Sequence, residues 1–180
     1  MAKKLEKIGY SGLSKEEIKE LQRQKDKVKL DWFENHSGEI FTDEDIEDIN
    51  RIYGISIIVN GDQLGLHEWT EGIEEQLPES IRKDFGNKLF KSISYIELDA
   101  NFNDSQVQSL GNLQSIGGNA NFEDSQVQSL GNLQSIGGNA YFNGSPITSL
   151  GNLQSIGGNA YFEDSQVQSL GNLQSIGGNA

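Results

Sequence analysis

From residue 101 to 180 the apolar positions recur every 20 residues, and the same twelve residues, SLGNLQSIGGNA, close each of the four copies. In the copy that starts at Ala120, the apolar and small set Ala120, Phe122, Ser125, Val127, Leu130, Leu133 and Ile136 advances in steps of two or three residues. A fixed period of this length predicts a solenoid, in which each unit buries its apolar side against the next. In GNAYF the alternation of side chains turns Ala140 and Phe142 inward and Asn139 and Tyr141 outward. Parallel strands of successive coils stack about 4.8 Å apart, so equivalent residues should form columns: Phe102, Phe122, Phe142 and Phe162, and beside them Leu110, Leu130, Leu150 and Leu170. The Gly-Gly pair, Gly117 and Gly118 in the first copy, serves either a positive φ or a close approach of backbones. Asn119, Asn139, Asn159 and Asn179 are placed to bond the turn backbones of neighbouring coils.

A shift of 20 residues toward the N-terminus carries Leu110, Leu113, Ile116, Gly118, Ala120 and Phe122 onto Phe90, Ile93, Ile96, Leu98, Ala100 and Phe102. All six suit a core, so the solenoid, residues 90–180, is expected to begin near Phe90 with a diverged coil. The exposed end of such a stack needs a cap, and residues 76–89 supply a helix for it. Pro78 suits a first turn, Ile81 and Phe85 share a face, and Gly86 reads as the stop. Residues 1–75 lack the period and read as a small α/β region. Ser14 with Glu17 forms a capping box for a helix reaching about Glu34, and a second helix starts at Thr42 and carries Ile46, Ile49 and Ile52 before Gly54. ISIIVNGDQLGL predicts two strands joined at Asn60 and Gly61, and EWTEGIEEQL a further helix.

The spacing A-x-F-x-x-S-x-V-x-x-L-x-x-L-x-x-I resembles that of the leucine-rich repeat, with Ser125 where that family usually has Asn or Cys, and the SIGGNAYF stretches look like its short bacterial variants. Alanine stands in place of the first strand leucine. The resemblance covers about half the chain and implies a parallel array whose outward strand face is a ligand surface. The residues fit two forms: a horseshoe, or a rounder β-solenoid with a second short strand per coil. The fold class expected is therefore an α+β N-terminal region followed by a parallel, leucine-rich-repeat-like array of 20-residue coils.

Charge narrows the partners. All 14 Lys and Arg lie between Lys3 and Lys91, whereas from Tyr95 onward there are seven acids and no base. Nucleic-acid binding rests on neutralising phosphates with Lys and Arg, so no nucleic-acid partner is expected for the solenoid, and a basic protein fits better. No apolar run approaches the roughly 18 residues of a membrane span, and the basic start MAKKLEKIGYSG lacks the apolar segment of a secretory signal. The expectation is no membrane partner and a cytoplasmic location. The chain has no Cys and only two His, so disulfides and thiolate metal sites are absent from its repertoire.

Candidate chemistry is thin. DEDIED at Asp43 to Asp48 places acids around a helix start, where the macrodipole favours them, and it lacks the Gly and distal Glu of an EF-hand loop. Asn60, Asp62, His67 and Glu68 are explained by a hairpin turn and solvated charges, and Trp32 and His36 by a core residue and a helix end. SIGGNA is not followed by the Lys-Ser or Lys-Thr of a phosphate loop. No cofactor, metal or catalysis is expected.

One pattern points outward. The four copies differ only in their first eight residues, and the outward columns carry much of the difference: Asn101, Asn121, Tyr141 and Tyr161 in one, Asn103, Glu123, Asn143 and Glu163 in the next. Recent duplication accounts for the identity of the rest. These eight residues are the expected partner-binding set of a non-catalytic protein-binding module. One alternative is a structural or self-assembling subunit, a homodimer joined through residues 161–180, because the last coil has no polar cap. The other is an enzyme or toxin-like activity in the N-terminal region.

Overall fold

The computed structural model describes residues 12–180. Helix α1 (Lys15–Asn35) starts as the sequence predicts, for the Glu17 amide donates to Ser14 Oγ at 3.2 Å and the Ser14 amide donates to the Glu17 carboxylate at 2.8 Å. Helix α2 (Asp43–Tyr53) ends on Gly54, whose φ of 69° is the left-handed cap that glycine adopts without a Cβ penalty. Trp32 of α1 and Ile46, Ile49 and Tyr53 of α2 are buried together with Phe41 of the connection between them, and Tyr53 packs 4.6 Å from the Phe85 ring.

Strands β1 (Ile57–Asn60) and β2 (Gln63–Leu66) make the expected hairpin, but its turn sits one residue later. Asn60 pairs with Gln63, so the central residues are Gly61, with φ 61°, and Asp62 rather than Asn60 and Gly61. This register sets Ile57 opposite Leu66, both buried, and a slip of one strand by one residue would turn its member of the pair to the other face. Helix α3 (Glu71–Glu75) and a 3₁₀ turn (Glu79–Ile81) lead into α4 (Arg82–Ser92). Gly86 does not end that helix. A Cβ there would stand 2.7 Å from Val107 Cγ2, so glycine is what lets α4 lie directly on the first repeat.

The second half is a parallel β-solenoid whose coils carry strands on more than one side. One sheet runs β1, β2, β3 (Tyr95–Ile96), β5 (Ser115–Ile116), β7 (Ser135–Ile136), β9 (Ser155–Ile156), β11 (Ser175–Ile176). The other runs β4 (Ala100–Asn101), β6 (Ala120–Asn121), β8 (Ala140–Tyr141), β10 (Ala160–Tyr161). A third side is joined by single bridges, Ser109 to Ser129 and Ser149 to Ser169. Of the two forms the sequence allowed, this is the rounder one.

The inward columns form as expected. Phe102, Phe122, Phe142 and Phe162 stack at 5.2, 5.3 and 5.1 Å with their planes within 10° of parallel. Each Asn side chain bonds the next coil, for the amides of Asn139, Asn159 and Asn179 donate to Oδ1 of Asn119, Asn139 and Asn159 at 2.8 Å. Asp99 starts this ladder by accepting the Asn119 amide. The Gly-Gly pairs serve close approach and not positive φ, since a Cβ on Gly137 would fall 2.1 Å from the Gly117 carbonyl oxygen. The left-handed positions are instead Asp104, Asp124, Gly144 and Asp164, one per repeat, and the Gly of each SLGN. Leu98 departs from its expected core role and is 47% exposed, because the corner between β3 and β4 turns its side chain away from the interior.

Capping is done with side chains that imitate a missing coil. In later repeats the Gln126 amide donates to the Ser105 carbonyl, and the Gln128 and Ser129 amides to the Gln108 carbonyl. In the first repeat the same donors meet Glu74 Oε1 (from Gln106, 2.8 Å) and Asn87 Oδ1 (from Gln108 and Ser109, 3.0 and 3.3 Å). Strand β2 closes one sheet by pairing with β3, and Trp69 bridges Ala100 to close the other. At the opposite end, Phe162, Val167, Leu173 and Ile176 are only partly buried, and Leu170 is 54% exposed.

Candidate interaction face

The outward side chains of β4, β6, β8 and β10 are Asn101, Asn121, Tyr141 and Tyr161, held in register by parallel pairing beneath them. The alternation that buries Ala and Phe is what turns this column out. Tyr141 and Tyr161 stack at 4.9 Å with planes 5° apart, and Tyr161 is 40% exposed. Their hydroxyls accept from Nδ2 of Asn139 and Asn159 at 3.2 and 3.1 Å, which leaves each phenol proton free to be donated.

Two residues further along lies the second column, Asn103, Glu123, Asn143 and Glu163. Asn101 Oδ1 and Asn121 Oδ1 accept the amides of Asn103 and Glu123 at 3.0 and 2.9 Å. Asn143 sits between Glu123 and Glu163, donating from Nδ2 to Glu123 Oε1 at 2.8 Å and accepting the Glu163 backbone amide at 2.9 Å. The alternation of Asn with Glu therefore keeps like charges two coils apart, where facing carboxylates would repel. Asp104, Asp124 and Asp164 are exposed at the adjoining corner. The eight residues named from the sequence thus form one continuous surface that is rich in acceptors and carries no base.

Other candidates are occupied structurally. His67 Nδ1 lies 3.0 Å from Glu97 Oε2, away from the turn residue Asp62. In DEDIED, Asp45 accepts the Thr42 amide at 2.7 Å, and Asp48 accepts from Trp32 Nε1 at 3.1 Å and from Arg51. The bonds from Arg51 first and Trp32 second hold the Asp48 carboxyl below the usual carboxylate range. Among the described residues no three His, Cys, Asp or Glu side chains converge as metal ligands.

Lys88 is a group the sequence reading passed over. It is 8% exposed, its ammonium donates to the His36 carbonyl and lies 4.5 Å from the Phe41 ring centroid, and burial lowers its pKa. The available signal was its place three residues after Phe85 on the buried face of α4. A shallow polar groove of about 360 Å³ lies between the hairpin tip and the first coils, lined by Asn60, Gln63, Tyr95, Glu97 and Gln114 among others. Comparison of the chain with protein-family models, with curated proteins and with solved structures gives no match. No helix among the described residues is long and apolar enough to cross a membrane.

Proposed function

We propose that the chain is a non-catalytic protein-binding module whose ligand face is the paired column of Asn101, Asn121, Tyr141, Tyr161, Asn103, Glu123, Asn143 and Glu163. The observation that carries this reading is the Tyr141–Tyr161 stack beside Glu123 and Glu163 on a surface without Lys or Arg. Tyrosines offer large contact area at small entropic cost, and carboxylate and phenol oxygens suit the donor-only side chains of Lys and Arg. A basic protein segment is the partner of this reading. The recurring 20-residue spacing supports kinship with the short bacterial leucine-rich repeats, whose strand face is likewise the ligand surface.

Replacing Tyr141 and Tyr161 together with Ser is expected to weaken binding of a Lys- and Arg-rich peptide by at least about 2 kcal/mol, roughly thirtyfold. The fold should persist, because both rings lie outside the core columns. Added salt should weaken the wild-type complex, since exposed charges are screened. Calorimetric titration checks both, and unchanged affinity in the double variant would move the binding face elsewhere.

A second reading, a homodimer joined through residues 161–180, is favoured by the exposed apolar edge of the last coil, with Leu170 foremost. Strand edges with apolar side chains invite pairing, and a two-fold contact between two such edges would close. Sedimentation of the 180-residue chain should then show a dimer that Ser169→Lys shifts toward monomer, whereas a concentration-independent monomer excludes it.

A further inference from the structure

The three junctions between repeats are not alike. Where residues 101–120 meet 121–140, five backbone bonds close the third side of the solenoid: Gln126 to Ser105, Gln128 and Ser129 to Gln108, Leu110 to Ser129, and Asn132 to Gly111, written donor to acceptor. Where 141–160 meets 161–180 the equivalent five recur: Gln166 to Ser145, Gln168 and Ser169 to Thr148, Leu150 to Ser169, and Asn172 to Gly151. At the middle junction, among the described residues, none of the five is made. The other two sides of that junction stay closed, with β7 paired to β9 and β6 to β8.

Two further observations show that the coils stand apart there. A Cβ on Gly131 or Gly171 would strike the carbonyl of the preceding coil at 2.3 or 2.4 Å, yet one on Gly151 would meet nothing within 4 Å. Asn152 reaches across with its longer side chain, Nδ2 donating to the Gly131 carbonyl at 3.2 Å, where Asn132 and Asn172 use their backbone amides. The open side coincides with the third repeat, which reads NGSPIT where the others read NDSQVQ or EDSQVQ. Pro146 occupies the place of Gln126 and Gln166 and has no N–H to give. Ile147, fully buried, also adds a methylene where its neighbours have Val127 and Val167.

We infer that the solenoid contains a built-in hinge between its second and third repeats, opened on one side at Pro146 and held on the other two by continuous sheets. With the five third-side backbone bonds already missing, opening further costs only the Asn152 side-chain bond, so bending concentrates at this junction. The cap with the first two repeats forms one body, and the third and fourth repeats, which carry both tyrosines, form the other. This inference rests on the hydrogen-bond pattern and is independent of what the face binds.

Residue-resolved hydrogen exchange on the full chain tests the open side. After correction for intrinsic rates, the amides of Leu130, Thr148 and Ser149 should exchange at least tenfold faster than those of Leu110, Gln128 and Ser129, and than those of Leu150, Gln168 and Ser169. Equal rates at the three junctions would overturn the inference. A variant carrying Gly144→Asp, Pro146→Gln, Ile147→Val and Thr148→Gln should restore protection, and undiminished exchange in it would remove Pro146 and its repeat as the cause. Because the chain has no native cysteine, spin labels can be placed cleanly. Dipolar broadening should be weaker across Gln128→Cys/Thr148→Cys than across Gln108→Cys/Gln128→Cys or Thr148→Cys/Gln168→Cys, and equal broadening would defeat the hinge.

Discussion

Phe122→Ala is expected to destabilise the protein by about 3–5 kcal/mol, the range for truncating a fully buried phenylalanine. The ring has no exposed surface and is sandwiched between Phe102 and Phe142 at 5.2 and 5.3 Å. Its neighbours are tied into β6 and the flanking strands, so the walls of the resulting cavity cannot collapse without breaking the register that holds every column. The same change at Phe162, which is only partly buried, should cost clearly less. Urea unfolding followed by circular dichroism measures both. A loss below about 0.5 kcal/mol at Phe122 would match an exposed residue and contradict its inward assignment.

Gly137→Ala should be similarly damaging, at about 3 kcal/mol, the upper end of ordinary overpacking. The added Cβ would fall 2.1 Å from the Gly117 carbonyl oxygen and 3.0 Å from its carbon, while the Gly137 amide bonds the Ile116 carbonyl at 2.8 Å. Backbone opposes backbone here, and neither can yield without opening the coil spacing. Gly38→Ala is the comparison: its nearest atom would be at 3.7 Å with no positive φ, so the same urea measurement should move by less than about 0.5 kcal/mol. Equal effects at the two sites would show that the Gly-Gly pairs are not close-approach positions.

The solenoid was legible because its period repeats one physical requirement four times. Phe122 inward, Tyr141 outward and the Asn119 ladder follow from strand alternation and coil stacking alone. The N-terminal helices were legible for a different reason: Ser14 with Glu17, and Gly54, are local signals that act within one turn. What stayed hidden depended on partners distant in sequence. Gly86 reads as a helix stop until Val107 is seen against it, and Leu98 reads as core until the corner geometry turns it out. Glu74 and Asn87 look like ordinary surface residues, yet their side-chain oxygens stand in for the two carbonyls that Ser105 and Gln108 offer to the next coil. Pro146 was visible as a substitution between copies, but its effect lies in bonds that the adjacent repeat fails to make. The candidate face was legible as a list of positions. Its arrangement, with Asn143 spacing Glu123 from Glu163, arises only from the stacking of three successive coils.

The central claim, that this face receives a basic protein segment, is tested most directly by titrating the isotopically labelled chain with an Arg- and Lys-rich peptide and following amide and side-chain resonances. Shifts are expected to concentrate at Asn101, Asn121, Tyr141, Tyr161, Glu123 and Glu163, to saturate, and to shrink with added salt. Shifts spread evenly over every acidic surface, including Asp43 to Asp48 of α2, or none on the tyrosine column, would contradict it.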